Sequence, residues 1–410
     1  FPLQTFECRQ ILEISRNGQD ARTQNLVVDV CNAKNGIIKY GVYCDETHPE
    51  CKSCLRFRVR CSFKDVPSEA CTPGSQTGTT PDIATSTSDQ GSDNTLDLEL
   101  MANIFLGPLH DLFRGQEEKG HEFIKEHTAL LFSKRYLLHQ VLAISGLHLF
   151  SQDRSRFDVY LRASYHQKEA LNLAQPHIGS ASEDHSLAMF LFAGYTASCA
   201  SAEMVFSQNH EDDNPIDITV HAWGLARGIV IVSTLNWSHI QSSWAWPFIQ
   251  QQIDVGSAFE PRPKDIPAYS TVRALAFGVQ PAEDRQVCLN AIEHTFRAIS
   301  LLQQCTDQQL WIKLASSWPI EIDARLDGLV TERHPVALVI MAYYACMLNL
   351  VSELWWVGAW PQRLLRHIVD ALGDEWIEFL QWPMEILTHT QAHTHRWGLI
   401  LRSLRQAVEH

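Results

Sequence analysis

The segment of this chain with the most distinctive chemistry holds four cysteines, Cys44, Cys51, Cys54 and Cys61. They fall within 18 residues and are separated by six, two and six residues. A structural zinc ion takes about four ligands, and two cysteines separated by two residues can place their sulfurs around one ion. The segment is polar and basic, so it offers no hydrophobic core that could bury four thiols. The spacing therefore predicts a zinc–thiolate site, in preference to buried or disulfide-bonded cysteines.

The charge of the chain is unevenly distributed around this segment. Residues 34–64 contain seven basic and three acidic residues, a net charge of +4. The whole chain carries −14, so the remainder carries −18. The acidic total argues against a protein coated in nucleic acid. A small basic module on an acidic body is typical of a DNA-binding module joined to a regulatory domain.

The filling of the cysteine segment resembles one family. Asp45 follows the first cysteine, Pro49 lies two residues before the second, and a Lys/Arg-rich run ends in Cys61-Ser62-Phe63. This pattern resembles the second half of the fungal zinc binuclear cluster, or Zn(2)-C6 type, which is the DNA-binding module of many fungal transcription factors. The resemblance implies six cysteines that hold two zinc ions, with two bridging sulfurs.

Carried onto this chain, the resemblance implies a role for each cysteine. Cys44 would be the third ligand, Cys51 the bridging fourth, and Cys54 and Cys61 the fifth and sixth. Zinc would be the cofactor, and promoter DNA the partner.

The first half of the cluster is missing from the pattern. Lys34 and Ile37 stand where the family has its first two cysteines, and the nearest upstream cysteines, Cys31 and Cys8, lie at the wrong spacing. The basic helix expected before the third cysteine is replaced by residues 38–43, IKYGVY, with one charge. We assign residues 1–43 to no module. A translated intron or a missed exon just before Tyr43 would explain this break.

Basic residues around the cysteines are candidates for DNA contacts. Arg56, Arg58 and Arg60 alternate between two predicted zinc ligands, and Lys52 lies between two others. Lys39 is the one charge of the segment that precedes the cysteines. We interpret all five as phosphate contacts, which supply affinity and register without reading sequence. The alternative is a solvated run of charge.

The rest of the chain divides into a linker and a helical domain. Residues 65–95 are dominated by Ser, Thr, Gly, Pro and Asp, a composition that predicts a disordered linker. Asn94 or Thr95 is placed to cap a helix that begins at Leu96. From there to residue 410 apolar residues recur at helical spacing and strand patterns are scarce. We therefore predict a mainly α fold, with a zinc-cluster remnant at 44–64, a linker at 65–95 and an all-helical regulatory domain at 96–410.

Several segments of this helical part resemble the regulatory domain of the same family, in the branch of the sterol uptake control proteins. The resemblance implies a domain that senses an apolar ligand or a partner. The glycine-rich C-terminal segment associated with the sterol pocket is not found here, so the ligand stays open. The segments are LDLELM (96–101), HQVLAISGLHL (139–149), YHQKEALNLAQPHI (165–178), RHPVALVIMAYYACMLN (333–349), ELWWVGAW (353–360) and DEWIEFLQWP (374–383).

Two apolar concentrations lie late in the chain. Val336–Leu348 is 13 uninterrupted apolar residues, too few for a bilayer, which needs about 20. We predict a core helix and no membrane span. Trp355, Trp356 and Trp360 either pack in the core or line an apolar ligand pocket. We favour the pocket wall for these tryptophans.

The sequence predicts a zinc-cluster transcription factor and no enzyme. G-x-S-x-G, P-loop and G-x-G-x-x-G motifs are missing from it. An odd number of cysteines and the lack of a secretory signal pattern favour a reducing compartment, and the resemblance implies the nucleus. Expected partners are the transcription machinery, an apolar ligand and a second copy in a homodimer. Sterol, lipid or secondary-metabolite genes are the expected targets. The alternative is a regulatory or interaction protein that has lost sequence-specific DNA binding.

The metal content of the purified chain tests the cysteine pattern. Two zinc ions that share six thiolates need two more cysteines at the right spacing, and this chain lacks them. We expect at most one tightly bound zinc per chain by elemental analysis. A content of two zinc ions would contradict this prediction and point to Cys31 and Cys8 as ligands.

Overall fold

A computed structural model describes residues 87–107, 117–178, 182–206, 214–305 and 307–389. All secondary structure in these ranges is helical, which confirms the predicted fold class. The described ranges contain fourteen α-helices and three single-turn 3₁₀ segments. In chain order the α-helices are α1 (Thr87–Leu106), α2 (Glu117–Ser133), α3 (Arg135–Gln152), α4 (Phe157–Ala174), α5 (Glu183–Phe206), α6 (Pro215–Gln241), α7 (Trp246–Asp254), α8 (Ala268–Ala276), α9 (Ala282–Gln304), α10 (Gln308–Glu321), α11 (Arg325–Thr331), α12 (Pro335–Leu350), α13 (Trp360–Leu372) and α14 (Ile377–His389).

Helix α12 is the centre of the C-terminal part of the bundle. It begins at Pro335, whose missing N–H costs nothing in the first turn, and it is apolar on all sides. Every residue from Val336 to Leu350 is buried, and α9, α10, α13 and α14 pack around it. The few polar groups of α12 are paired, as with the Tyr344 hydroxyl, which donates to the Ala315 carbonyl at 3.3 Å. The prediction of a core helix is therefore confirmed.

The described helices form two hydrophobic clusters that share a boundary. One cluster is built by α1–α5, with Phe248 of α7 packed against it, and the other by the end of α5 together with α6 and α8–α14. Helices α5 and α6 pack along each other, and the Ser186 hydroxyl of α5 donates to the Asn236 side chain of α6 at 2.9 Å. Phe206 and Trp356 touch both clusters, so the two halves are packed against each other.

Among the described helices, α5 alone is long and apolar enough to cross a bilayer, with a mean hydropathy of 1.2 over its 18-residue window. A core helix meets the same criterion. Helix α5 packs against α3 and α6, and Met189, Phe192 and Cys199 belong to the buried core. These contacts place α5 within the bundle.

The start of α1 differs from the sequence expectation. The helix begins at Thr87, nine residues before Leu96 and inside the segment predicted as linker. Leu100 and Ile104 are buried and anchor the helix. Once these turns are fixed, each further helical residue adds a hydrogen bond without a new nucleation step, so polar residues can continue the helix towards the N-terminus. Composition alone does not reveal such an extension.

The end of α11 is held by an ion pair with α6. Arg333 has a left-handed conformation with φ of 60°, and the His334 N–H donates to the Leu329 carbonyl at 2.8 Å. The Arg333 guanidinium donates two hydrogen bonds of 2.8 Å to the Asp217 carboxylate. This bidentate pair helps to hold a non-glycine residue in a backbone region that usually favours glycine.

Truncation of a central side chain of α12 tests its role in the core. Met341 is 0% exposed, so M341A leaves a cavity and should lower the free energy of unfolding by about 2–5 kcal/mol. Chemical denaturation of the purified chain measures this loss. L106A is the control, because Leu106 is 80% exposed and its truncation should change stability by less than about 0.5 kcal/mol. Equal stability of the two variants would show that α12 is not a core helix.

Candidate functional site

The residues predicted to bind zinc and DNA lie outside the described residues. Within the described ranges, no group of three or more His, Cys, Asp and Glu side chains is arranged to hold a metal ion. Four cysteine thiolates are by their chemistry a suitable ligand set for zinc. The residues concerned are Cys44, Cys51, Cys54 and Cys61 for the metal, and Lys39, Lys52, Arg56, Arg58 and Arg60 for DNA.

The described element closest in sequence to this module is α1, and α3 anchors it. The Ser145 hydroxyl of α3 donates to the Leu100 carbonyl at 2.6 Å, and the Asn103 amide donates to the Ser145 hydroxyl at 2.8 Å. Ser145 is fully buried, as are Leu100 and Ile104 on the same side of α1. Burial and hydrogen bonds together fix the position of α1 on the bundle.

Asp97 is the polar centre of this attachment. Arg162 of α4 donates to both of its carboxylate oxygens, at 2.6 and 2.7 Å, and His166 Nε2 donates to Oδ1 at 2.9 Å. Burial alone would raise the pKa of Asp97, but the hydrogen bonds from Arg162 and His166 outweigh it and lower this pKa. Asp97 is therefore ionised at neutral pH and holds α1 against α4.

The histidines behind Asp97 have defined protonation. His166 is almost fully buried, and this burial lowers its pKa to about 4, so it is neutral at pH 7. Its proton lies on Nε2, which donates the hydrogen bond to the Asp97 carboxylate. Nδ1 of His166 is then an acceptor, and it lies 2.8 Å from Nδ1 of His139, which donates. This chain of hydrogen bonds orders one side of α3, α4 and α1.

A second ion pair lies at the surface of the same helix. Arg156 donates to the two carboxylate oxygens of Glu99 at 3.0 and 2.9 Å. The side chains are 36% and 42% exposed, so solvent screens the pair. It orients α1 but contributes less than the partly buried Asp97 pair.

His148 of α3 connects α1 with the C-terminal part of the bundle. Its Nδ1 lies 3.2 Å from the Asn103 amide nitrogen, and its ring meets the Trp355 ring edge-on with centroids 5.3 Å apart. A Cβ atom at Gly107, one residue past α1, would lie 2.6 Å from the His148 ring. This position therefore needs glycine for the close approach of chain and ring.

Residues 351–359 join α12 to α13 and are called here the tryptophan turn. The three tryptophans predicted to line a ligand pocket lie in this turn or directly after it. Trp360 is 2% exposed, and its indole N–H donates to the Thr219 hydroxyl of α6 at 3.0 Å. This ring packs in the core. Trp355 and Trp356 are half-buried and pack against the α1–α5 cluster. A ligand pocket along this turn stays a prediction.

The Asp97 network could not be predicted from the sequence. Asp97 and His166 are 69 residues apart, and neither belongs to a motif that pairs them. Both lie in segments, 96–101 and 165–178, that carry the family resemblance. Only the packing of α1 against α4 shows that these two segments touch.

Comparison with known proteins finds one similarity of note. The chain is 25% identical over 273 residues to a protein of Gibberella zeae described as a Zn(2)-C6 fungal-type transcription factor. The match covers 62% of this chain and 53% of the relative, so the chain spans about half the length of the curated relative it matches. No family model and no solved structure matches the chain.

This similarity must extend into the helical part of the chain. Residues 1–95 are less than a quarter of the sequence, so a match of this extent includes much of the helical part. It supports the Zn(2)-C6 family that the cysteine spacing indicates. The sterol uptake control branch and the missing half of the cluster stay predictions.

Substitution of Asp97 tests the attachment of α1. D97N keeps the shape of the side chain but removes its charge, and we expect a loss of about 1–3 kcal/mol in the free energy of unfolding at pH 7. Because the folded pKa of Asp97 is lowered, its contribution is present above the unfolded pKa of about 3.9. It is lost as the pH falls through the folded pKa, where the two proteins should converge. Chemical denaturation at a series of pH values measures this.

The neighbouring carboxylate gives a matched control. Glu99 lies on the same helix but is exposed with its partner, so E99Q should cost less than about 1 kcal/mol. D97N should also speed proteolytic cleavage within α1, which E99Q should not do. Equal effects of the two variants would show that Asp97 does not anchor the helix.

Proposed function

We propose that this chain is a transcription regulator of the Zn(2)-C6 fungal type, in which a small zinc module is tethered to a helical regulatory domain. One observation carries the proposal. Four cysteines with zinc spacing lie in a basic segment ahead of a helical domain, in a chain that is similar to a Zn(2)-C6 fungal-type transcription factor. The proposed location is the nucleus, where the partners would be promoter DNA and the transcription machinery for RNA polymerase II.

Zinc would be held by Cys44, Cys51, Cys54 and Cys61. Bound to these thiolates, a zinc ion supplies the folding energy of a segment too small to bury a core. Thiolate ligands must be deprotonated, so binding of the metal releases protons and depends on pH. The four cysteines suffice for one four-coordinate ion.

The basic residues of the module would supply the affinity for DNA. Arg56, Arg58 and Arg60, with Lys52 and Lys39, would neutralise phosphates and release counterions. Phosphate contacts orient a protein on DNA, but direct sequence reading needs side chains in the grooves. Because the basic helix before Cys44 is missing, this chain would bind DNA mainly through contacts to the DNA phosphates.

The helical domain would act as the regulatory part. Helix α1 follows the zinc module in the sequence and is anchored by Asp97, Leu100 and Ile104, so the tether leaves the bundle from a fixed place. The domain would respond to an apolar ligand or a protein partner, including a second copy of the chain. Control of sterol, lipid or secondary-metabolite genes would follow from such a ligand.

A second function is favoured by the incomplete cluster. Lys34 and Ile37 occupy the positions at which the family has its first two cysteines. A chain of this kind would act as a regulatory or interaction protein without sequence-specific DNA binding. The two functions share the helical domain and differ in the DNA affinity of residues 34–64.

DNA binding by the purified chain tests the role proposed for its basic residues. We expect weak binding that falls steeply with salt and is nearly indifferent to sequence. The chain has the five candidate phosphate contacts but lacks the basic helix that would read the DNA sequence. Fluorescence anisotropy with DNA of several sequences, at a series of salt concentrations, measures this. A footprint confined to one short motif at physiological salt would contradict the expectation.

A variant chain provides the matched control. Replacement of residues 31–43 by a complete first cluster half, with C-x2-C and a basic helix, should restore specific binding and a second zinc ion. Failure of this chimera to bind DNA specifically would favour the interaction protein.

A further inference from the structure

Five aromatic rings from α2, α5, α7 and the turn before α7 converge on one place in the bundle. Phe123 of α2 stacks on His127 with centroids 5.2 Å apart, and it meets Trp244 and Phe248 edge-on at 5.4 and 5.2 Å. His127 in turn meets Tyr195 of α5 edge-on at 5.8 Å. We call these five residues the α2 aromatic cluster. Aromatic rings prefer edge-on or offset-stacked neighbours, so a planar apolar ring is the kind of group that packs favourably beside these rings.

His127 is the polar member of this cluster. Its side chain is fully buried, and its Nε2 lies 2.9 Å from the Tyr195 hydroxyl. Among the described residues, its Nδ1 has no hydrogen-bond partner. Burial lowers the pKa of His127 to about 4, so the ring is neutral at pH 7. A buried ring nitrogen without a partner is costly and calls for a polar group to pair with it.

A second buried polar side chain contacts α5 one helical turn from Tyr195. Gln140 of α3 is fully buried, and its amide nitrogen donates to the Cys199 sulfur at 3.3 Å. Its carbonyl Oε1 has no partner within the described part of the chain. Cys199 and Tyr195 are four residues apart on α5, so they lie on one face of that helix. Gln140 and His127 therefore approach the same stretch of α5 from α3 and α2.

The unpaired atoms define the polar chemistry of a ligand. Gln140 Oε1 can only accept a hydrogen bond. His127 Nδ1 donates or accepts according to which partner donates in its bond with Tyr195. A hydroxyl group both donates and accepts, so it suits either atom. A carboxylate would find no cation among these side chains, and an ammonium would lose its hydration without a carboxylate partner.

We infer that the α2 aromatic cluster and Gln140 form a binding site for a small apolar molecule that carries a hydroxyl group on an aromatic ring, a phenol. The ring would pack against Phe123, Trp244 and Phe248. The hydroxyl would pair with His127 Nδ1, the unpaired atom that lies directly beside the rings. Trp244 and Phe248 are half-buried, which leaves their side of the cluster nearest to solvent. Only the role of this site as the sensor of the regulatory domain rests on the proposed function.

Binding of 4-fluorophenol to the full chain tests the inference by ¹⁹F NMR, with fluorobenzene as the probe that lacks the hydroxyl. We expect saturable binding of 4-fluorophenol and at least tenfold weaker binding of fluorobenzene. H127F keeps an aromatic ring but removes the ring nitrogens, and it should reduce 4-fluorophenol binding to the fluorobenzene level. H185F is the matched control, since His185 also lies in the α1–α5 half but pairs with Tyr136, and it should leave binding unchanged.

F248L is a second variant that tests the site even if H127F, which changes a buried residue, does not fold. Phe248 is half-buried, so its replacement by Leu should preserve the fold, which circular dichroism checks, and should weaken both probes at least threefold. The inference fails if the wild type binds 4-fluorophenol without saturation or no better than fluorobenzene. It also fails if folded H127F, or F248L, binds as the wild type does. The assay contains no DNA, so its failure is separate from a failure of DNA binding.

Discussion

Burial of α12 on all sides is the constraint on which the C-terminal half of this bundle depends. A helix with fifteen consecutive buried residues has no solvent face, so other helices must surround it. Helices α9, α10, α13 and α14 meet this requirement. The polar atoms that α12 brings inside are paired, as between Asn349 and Gln362 at 2.6 Å, because an unpaired polar group in such a core would be costly.

This packing also determines where the rest of the chain lies. The tryptophan turn follows directly from the end of α12 and inserts Trp360 against Thr219 of α6. Helix α6 runs along α5, and Arg227 and Asp217 of α6 pair with Asp327 and Arg333 at the two ends of the α11 region. Through α5 the C-terminal core supports α3, and α3 in turn supports α1. A short series of helix contacts thus connects α1, from which the proposed tether to the zinc module starts, to the C-terminal core.

Two positions connect this framework with the proposed function. The His148 side chain contacts Asn103 of α1 and Trp355 of the tryptophan turn, so it connects α1 with the C-terminal half. At His127, a buried histidine faces aromatic rings with one nitrogen unpaired among the described residues. The first position suits mechanical support, because the His148 ring contacts both the Asn103 amide of α1 and the Trp355 ring. The second suits recognition, because its polar group still requires a partner.

Much of the fold could be predicted from the sequence, because helical periodicity is a local property. The apolar residues that recur at helical spacing in α9 are all buried: Cys288, Ile292, Phe296, Ile299 and Leu302. The apolar run in α12 also lies in the core as expected, and the cysteine spacing indicated the family that a relative supports.

The contacts that decide roles could not be predicted, because they join helices distant in the sequence. Asp97 meets Arg162 across 65 residues, and Trp360 meets Thr219 across 141. The three tryptophans look alike in the sequence, yet packing buries Trp360 and leaves Trp355 and Trp356 half-buried. A pattern of apolar residues shows which face of a helix is buried, but only the tertiary structure decides which partner covers that face. The cysteine spacing and the helical class therefore came from the sequence alone. The anchoring of α1 and the polar site at His127 arise where separate helices meet.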